Sequence, residues 1–281
     1  MKTTWMSWVL AATLAVSLLP AQKPAPQPKS QEEVDAILAV QNATDADTRI
    51  AAAEKLVTEF KDTEFKEFAY YMSMLSYQQK NDFENMLVFG EKALDENPEN
   101  VPTLVSLSYA IPLRTREFDL DKEEKLSKAD SFAQRALKLI PTWEPPNPNV
   151  PPEEWLLTKK ELMSQTHESL GQIAMTRKNF TKAEESFRQA LQLAPEQGGP
   201  TFHNLALALK EQGKIDEAIT NVDQAIAKGG HPLSDGRDAS KILKAELEKL
   251  KQGGASSPQG QPSPQGQAGQ SATPQVEIVQ P

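Results

Sequence analysis

Residues 179–195 read NFTKAEESFRQALQLAP, with small residues at Ala183 and Ala190, an aromatic at Phe187 between them, and Pro195 five residues after the second alanine. The apolar positions recur at helical spacing, so the stretch predicts an amphipathic helix. What decides the fold is that the pattern returns thirty-five residues later. There KIDEAITNVDQAIAKGG, residues 214–230, places Ala218, Val222 and Ala225 at the offsets of Ala183, Phe187 and Ala190. Each copy also has a helix-forming stretch ahead of it. HESLGQIAMTRKNF, residues 167–180, puts Leu170–Gly171 thirteen residues before Ala183, and FHNLALALKEQGKI, residues 202–215, puts Leu205–Ala206 thirteen before Ala218.

Two further copies share the grammar. NDFENMLVFGEKALDENPEN, residues 81–100, supplies Met86, Gly90, Ala93 and Pro98; SKADSFAQRALKLIP, residues 127–141, supplies Ala129, Ala133, Ala136 and Pro141. The physical unit is a helical hairpin. Small residues on the second helix let the first approach closely, bulky residues between them fill the gap, and a following proline stops the helix. Short turns such as RKN or EQGK keep the two helices antiparallel.

These residues resemble the tetratricopeptide repeat, a 34-residue helical hairpin with Leu–Gly in its first helix and Ala, aromatic, Ala and Pro in its second. The resemblance spans roughly Glu67 to Gly230, and it departs from the pattern at Ser73–Met74 (for Leu–Gly), Gly90 (for the aromatic) and Gly230 (for Pro). It implies an all-α, right-handed superhelical solenoid of about five hairpins, near 32–60, 67–100, 101–141, 153–197 and 199–230, closed by a capping helix over 234–252. It also implies a concave groove lined by the first helix of each hairpin. The side chains placed there are Tyr71 and Leu75, Val105 and Tyr109, Glu168 and Gln172, and His203 and Leu207. Family members that clamp a C-terminal carboxylate use Lys, Arg and Asn at such positions. Only Asn204 and Lys210 are near here, which argues against a clamp.

The flanks extend the pattern. SQEEVDAILAVQ and DADTRIAAAEKLVTEF form a degenerate first pair, with Asp45 or Asp47 as N-cap and Ile50, Ala53, Leu56, Val57 and Phe60 on one face. At the other end SDGRDASKILKAELEKLK sets Ile242, Leu243, Leu247 and Leu250 on one side, as a helix covering the last apolar face of a stack should. Two insertions break the period. The interval from Leu107 to Ala129 grows to twenty-two residues and takes in PLRTREFDLDKEEK, where Pro112 should end or kink the first helix. PTWEPPNPNVPPEEW carries six prolines between Pro141 and Pro152, flanked by Trp143 and Trp155, and should run extended across the surface. Glu153 and Glu154 then sit in the first turn of a helix expected to reach Met175, where acids suit the helix dipole.

The ends read differently from the body. Residues 1–21 carry Lys2 and an uncharged run from Trp5 to Leu19, too short for a bilayer span, and are expected to be a cleaved secretory signal; an uncleaved anchor is the alternative. Residues 22–31 read as a Pro/Gln-rich linker. Residues 253–281, in which SPQGQ occurs twice, hold too few apolar residues to repay ordering, and are expected to be a disordered tail. The chain has 281 residues, no cysteine and a formal charge of −9. Loss of residues 1–21 would make the charge −10, and an acidic surface of that kind disfavours nucleic acid as a partner.

Chemistry-bearing motifs are sparse. His167, His203 and His231 lack the i, i+4 pairing of a helical zinc site, and no phosphate loop, nucleophile elbow or dinucleotide fingerprint occurs. No metal, cofactor or catalytic residue is therefore expected. The glycosylation triplets at Asn42 and Asn179 are common by chance and are discounted. The expected function is that of a non-catalytic, exported bacterial scaffold in the periplasm or secreted, holding a partner protein or peptide in its groove. Tyr71, Leu75, Val105 and Tyr109 suit an apolar partner segment, unless the Pro-rich insert or a tryptophan fills the groove. Two alternatives stand beside this: an envelope enzyme or glycan- or peptide-binding accessory using groove carboxylates, and a self-associating structural repeat.

Overall fold

A computed structural model describes residues 26–255 apart from 146, 195 and 197; residues 1–25 and 256–281 lie outside it, as does Pro195. The expected signal segment, residues 22–25 of the expected linker and residues 256–281 of the expected tail therefore lie outside the described residues, and Gln31 of the expected linker already begins the first helix. The described chain is all-α apart from one isolated bridge between Pro232 and Asp238. Helical hairpins of the tetratricopeptide kind follow one another along it. It divides into two compact units: residues through Arg114 with Ser131–Glu144, and Thr115–Asp130 with residues from Pro145 onward. The sequence suggests one repeat domain over 32–252; two of the three boundaries, after Arg114 and after Glu144, fall in the insertions that break the repeat period, and the third falls after Asp130.

In the first unit, α1 (Gln31–Asn42), α2 (Ala46–Glu59), α3 (Lys66–Gln79), α4 (Phe83–Glu96) and α5 (Val101–Arg114) pack each against the next. Asp45 is the N-cap of α2, its carboxylate accepting the Thr48 N–H at 2.8 Å. Val40, Ala53, Leu56 and Ala69 form the core there, with Val57 and Phe60 against it. Pro112 lies inside α5 rather than at its end. It stands two residues from the C-terminus, where the missing N–H removes one intrahelical bond and the helix still closes. α6 (Lys122–Leu139) follows, continuing into a 3₁₀ turn at Ile140–Thr142.

The second unit holds α7 (Pro152–Thr176), α8 (Phe180–Leu193), α9 (Gly199–Glu211), α10 (Ile215–Ala227) and α11 (Ala239–Ala255), again packed in succession. α7 starts with Pro152 at N1 and has Glu153 and Glu154 in its first turn. Phe187, Ala206, Leu209, Val222, Leu243 and Leu247 share one buried cluster. The capping helix begins later than expected, at Ala239, because residues 231–238 close into a loop. Ala239 N donates to the His231 carbonyl at 2.9 Å, and Leu233 N to that of Arg237 at 2.8 Å. Only Leu243 and Leu247 of its expected apolar face are buried; Ile242 and Leu250 are each 47% exposed.

The turns of three hairpins, α3–α4, α7–α8 and α9–α10, are built alike. Asn81, Lys178 and Gly213 occupy the same turn position, with φ of 56°, 58° and 74°. Directly after each, an amide reaches back five residues: Asp82 to Tyr77 at 2.9 Å, Asn179 to Ala174 at 2.8 Å and Lys214 to Leu209 at 3.0 Å. This left-handed closure satisfies carbonyls that a helix end leaves open. Asp82 and Asn179 then cap the second helices through the Asn85 and Lys182 N–H groups, each at 3.2 Å.

Candidate partner-binding surface

The repeat positions identified in sequence lie where the helices of the α3–α4, α7–α8 and α9–α10 hairpins pack together. Leu170, Gly171, Ala183, Phe187 and Ala190 are all buried, as are Leu205, Ala206, Ala218 and Ala225. A Cβ on Gly171 would collide with the Phe187 ring, so glycine is required where the aromatic enters. Met86, Ala93, Ala129 and Ala136 are buried as well. Pro98 and Pro141 lie exposed after their helices, and the Pro98 carbonyl accepts a bond from the Arg135 guanidinium.

The eight groove positions part company. Tyr71, Leu75, Tyr109, Glu168, Gln172 and Leu207 are half-buried. Val105 is 1% exposed and His203 6% exposed, so neither offers a surface as first expected. His203 is covered by the His231 ring, centroid to centroid 4.7 Å, and by Ser240, whose hydroxyl lies 3.2 Å from its Nδ1. Leu207 packs on the core cluster of the second unit.

Tyr109 stands apart because it lines a cavity. Gln78 at the end of α3, Phe83 and Met86 at the start of α4, and Tyr109, Leu113 and Arg114 at the end of α5 enclose about 180 Å³. Leu113 is 52% exposed at its margin, and the Arg114 guanidinium lies 5.8 Å from the Phe83 ring centroid. The lining is mainly apolar, with a cation at one side, and it fits a single branched or aromatic side chain with an acidic neighbour. Sequence reasoning found Tyr109 and placed Met86 in the hairpin contact, but missed Phe83, Leu113 and Arg114. The last two follow Pro112, where the first helix was expected to end or kink.

Electrostatics elsewhere are structural in character. Burial pushes the Tyr71 phenol up, with Glu67 adding to it. Glu67 accepts from Asn100, and Glu168 from the Thr201 hydroxyl, each joining one first helix to the next. Burial raises the Glu168 carboxyl and the Thr201 bond offsets part of that. Arg177 reaches Glu123, Ser127 and Asp130, the last at 3.1 Å. Among the described residues no cluster of three metal-ligating side chains occurs, and no helix is long and apolar enough to cross a membrane.

With this geometry, the tetratricopeptide repeat family models match residues 164–197 and 200–227. The chain carries tetratricopeptide repeats at these two stretches. The chain is 39% identical over 64 residues to Protein POLLENLESS 3-LIKE 2 of Arabidopsis thaliana, a match covering 22% of this chain and 14% of that one. Among solved structures it is similar to PilW, described as a widely conserved type IV pilus biogenesis factor, with TM-score 0.55 and 15% identity over 79% of this chain and 87% of that one. It is also similar to PilF of Pseudomonas aeruginosa, with TM-score 0.50 and 16% identity over 78% and 82% of the two chains. At such identity the likeness is one of fold. Tetratricopeptide domains bind protein partners and are typically scaffolds rather than enzymes.

Proposed function

We propose that this tetratricopeptide protein is a non-catalytic scaffold of the cell envelope whose first unit holds a partner segment through the cavity at Tyr109. The observation that carries the reading is the cavity itself: an apolar hollow of about 180 Å³ at the end of α5, with Leu113 exposed at its margin and Arg114 beside it. A large apolar side chain entering it would bury hydrophobic surface, and an adjacent carboxylate would meet Arg114. Export rests on the uncharged run in residues 5–19 after Lys2. PilW, whose description places it in pilus biogenesis, lends the comparison an envelope setting and no process for this chain.

Peptide selection from a random displayed library against the full chain tests the binding reading. Binders should share a large apolar residue next to an acid, and Tyr109→Ala or Leu113→Asp should weaken them at least tenfold. Binders indifferent to both substitutions would place recognition on another surface.

A further inference from the structure

The second unit contains a buried imidazole that the scaffold reading does not use. His203 on α9 is 6% exposed, lies 4.7 Å from the His231 ring, and faces the Ser240 hydroxyl through Nδ1. Ser240 is itself fully buried in the first turn of α11. The loop between α10 and α11 is fastened at the same point: Asp238 Oδ1 accepts the His231 N–H at 3.0 Å and the Ser240 N–H at 2.9 Å. A Cβ on Gly230, at φ 72°, would strike that carboxylate, so the loop fits only with glycine there. α11 is fastened by this polar cluster at its start, by Leu243 and Leu247 in the apolar cluster with Leu209 and Val222, and by exposed ion pairs of Lys244 with Asp223, Glu246 with Lys210 and Lys251 with Asp216.

We propose that His203, His231 and Ser240 form an acid-sensitive latch, which holds α11 over α9 and α10 while the buried His203 imidazole is neutral and frees it when that ring is protonated. Two positive rings at this separation repel, and a buried cation next to a hydroxyl has lost its hydration. The surrounding charges do not cancel this. The Asp238 carboxylate acts on His203 and is engaged by the backbone N–H groups of His231, Ser240 and Lys241, with the Lys241 charge beside it. From α10, Asp223 is paired with Lys244 of α11 at 2.7 Å, and from α7, Glu168 is bonded to Thr201. Burial first, and then the His231 charge, hold the His203 imidazole down at about 4, against the partial pull of Asp238. A histidine held below its ordinary 6.5 contributes stability that is complete above 6.5 and drains away as pH falls towards 4. Freed, α11 would uncover the apolar end of α9 and α10, giving the protein a second surface under acid control.

Amide hydrogen exchange of the full chain between pH 8 and pH 5, corrected for the intrinsic chemical rate, tests the latch. The opening constant of α11 amides should rise about thirtyfold over that range. It should exceed that of α8 amides at pH 5, and it should lose its pH dependence in His203→Gln. Exchange of α11 and α8 with one shared opening constant at every pH would overturn the proposal, because α11 would then leave only with the whole unit. Unchanged pH dependence in His203→Gln would also overturn it. Should that variant fail to fold, the titration of His203 in the wild-type chain by NMR decides: a midpoint near 4 supports the latch, and one at 6.5 or above rejects it.

Discussion

The hairpin α7–α8 of the second unit and the hairpin α3–α4 of the first fill the same contact in opposite ways. In α7–α8 the first helix offers Gly171 and the second Phe187; in α3–α4 the first helix offers Met74 and the second Gly90, at the same separation of sixteen residues. A Cβ on Gly90 would stand 2.8 Å from Leu107 Cδ2 and 3.0 Å from Met74 Sδ, so the bulk has moved to the other side of the contact. The hairpin α9–α10 lies between the extremes with Ala206 and Val222, both fully buried. What the repeat conserves across this contact is volume, and the identity of either residue is free as long as its opposite compensates. The aromatic absent from position 90 stands one residue earlier, where Phe89 stacks on Tyr77 at 5.1 Å.

That comparison is open to test by substitution. Removing the large member should cost most: Phe187→Ala about 4 kcal/mol and Met74→Ala about 3 kcal/mol, each leaving a cavity at a fully buried site. Denaturant unfolding followed by circular dichroism measures both. Next, Gly171→Met alone should cost about 3 kcal/mol by collision with Phe187, whereas the reciprocal swap Gly171→Met with Phe187→Gly should recover at least 1 kcal/mol of the summed penalty. Strict additivity in that cycle would break the idea of a shared volume. A smaller effect is expected at the caps, where Asn179→Ala should lower stability by about 1 kcal/mol.

The smallest difference is one of pH. The Asn85 side chain, and then its backbone N–H, hold the Asp82 carboxyl below its ordinary 3.8, while Asn179 at the same position does not titrate. A carboxyl held down stabilises above its ordinary value and loses that contribution as pH falls through the lowered one. Exchange protection at the start of α4 should therefore weaken in acid below pH 4, and protection at the start of α8 should change less.

Much of the fold was legible because it is local and repeated. Leu170–Gly171 with Ala183, Phe187 and Ala190 names a hairpin from a single stretch of chain, and Leu205–Ala206 with Ala218 and Ala225 repeats it. The candidate site was legible only in part, because three helices build it. Phe83 and Gln78 meet the cavity only because the turn at Asn81 is left-handed, and Leu113 and Arg114 only because α5 continues past Pro112. Helix spacing alone could not show that the loop 231–238 folds back over His203 and removes it from the groove. For the same reason the apolar face of α11 was overdrawn: four residues share the pattern, and the neighbours bury Leu243 and Leu247. In the loop between α5 and α6, Phe118 and Leu120 are 89% and 107% exposed, side chains that spacing alone gave no reason to single out.

The contrast between the units is sharpest at the groove positions, where Tyr109 borders an open cavity and Leu207 is packed on the core. Titration calorimetry of a library-selected peptide against the wild-type chain, Tyr109→Ala and Leu207→Ala measures that contrast directly. Recognition by the first unit requires that Tyr109→Ala weaken binding more than tenfold while Leu207→Ala leaves it within twofold. Loss of affinity in Leu207→Ala, with Tyr109→Ala unaffected, would contradict the assignment of the partner site to the cavity at the end of α5.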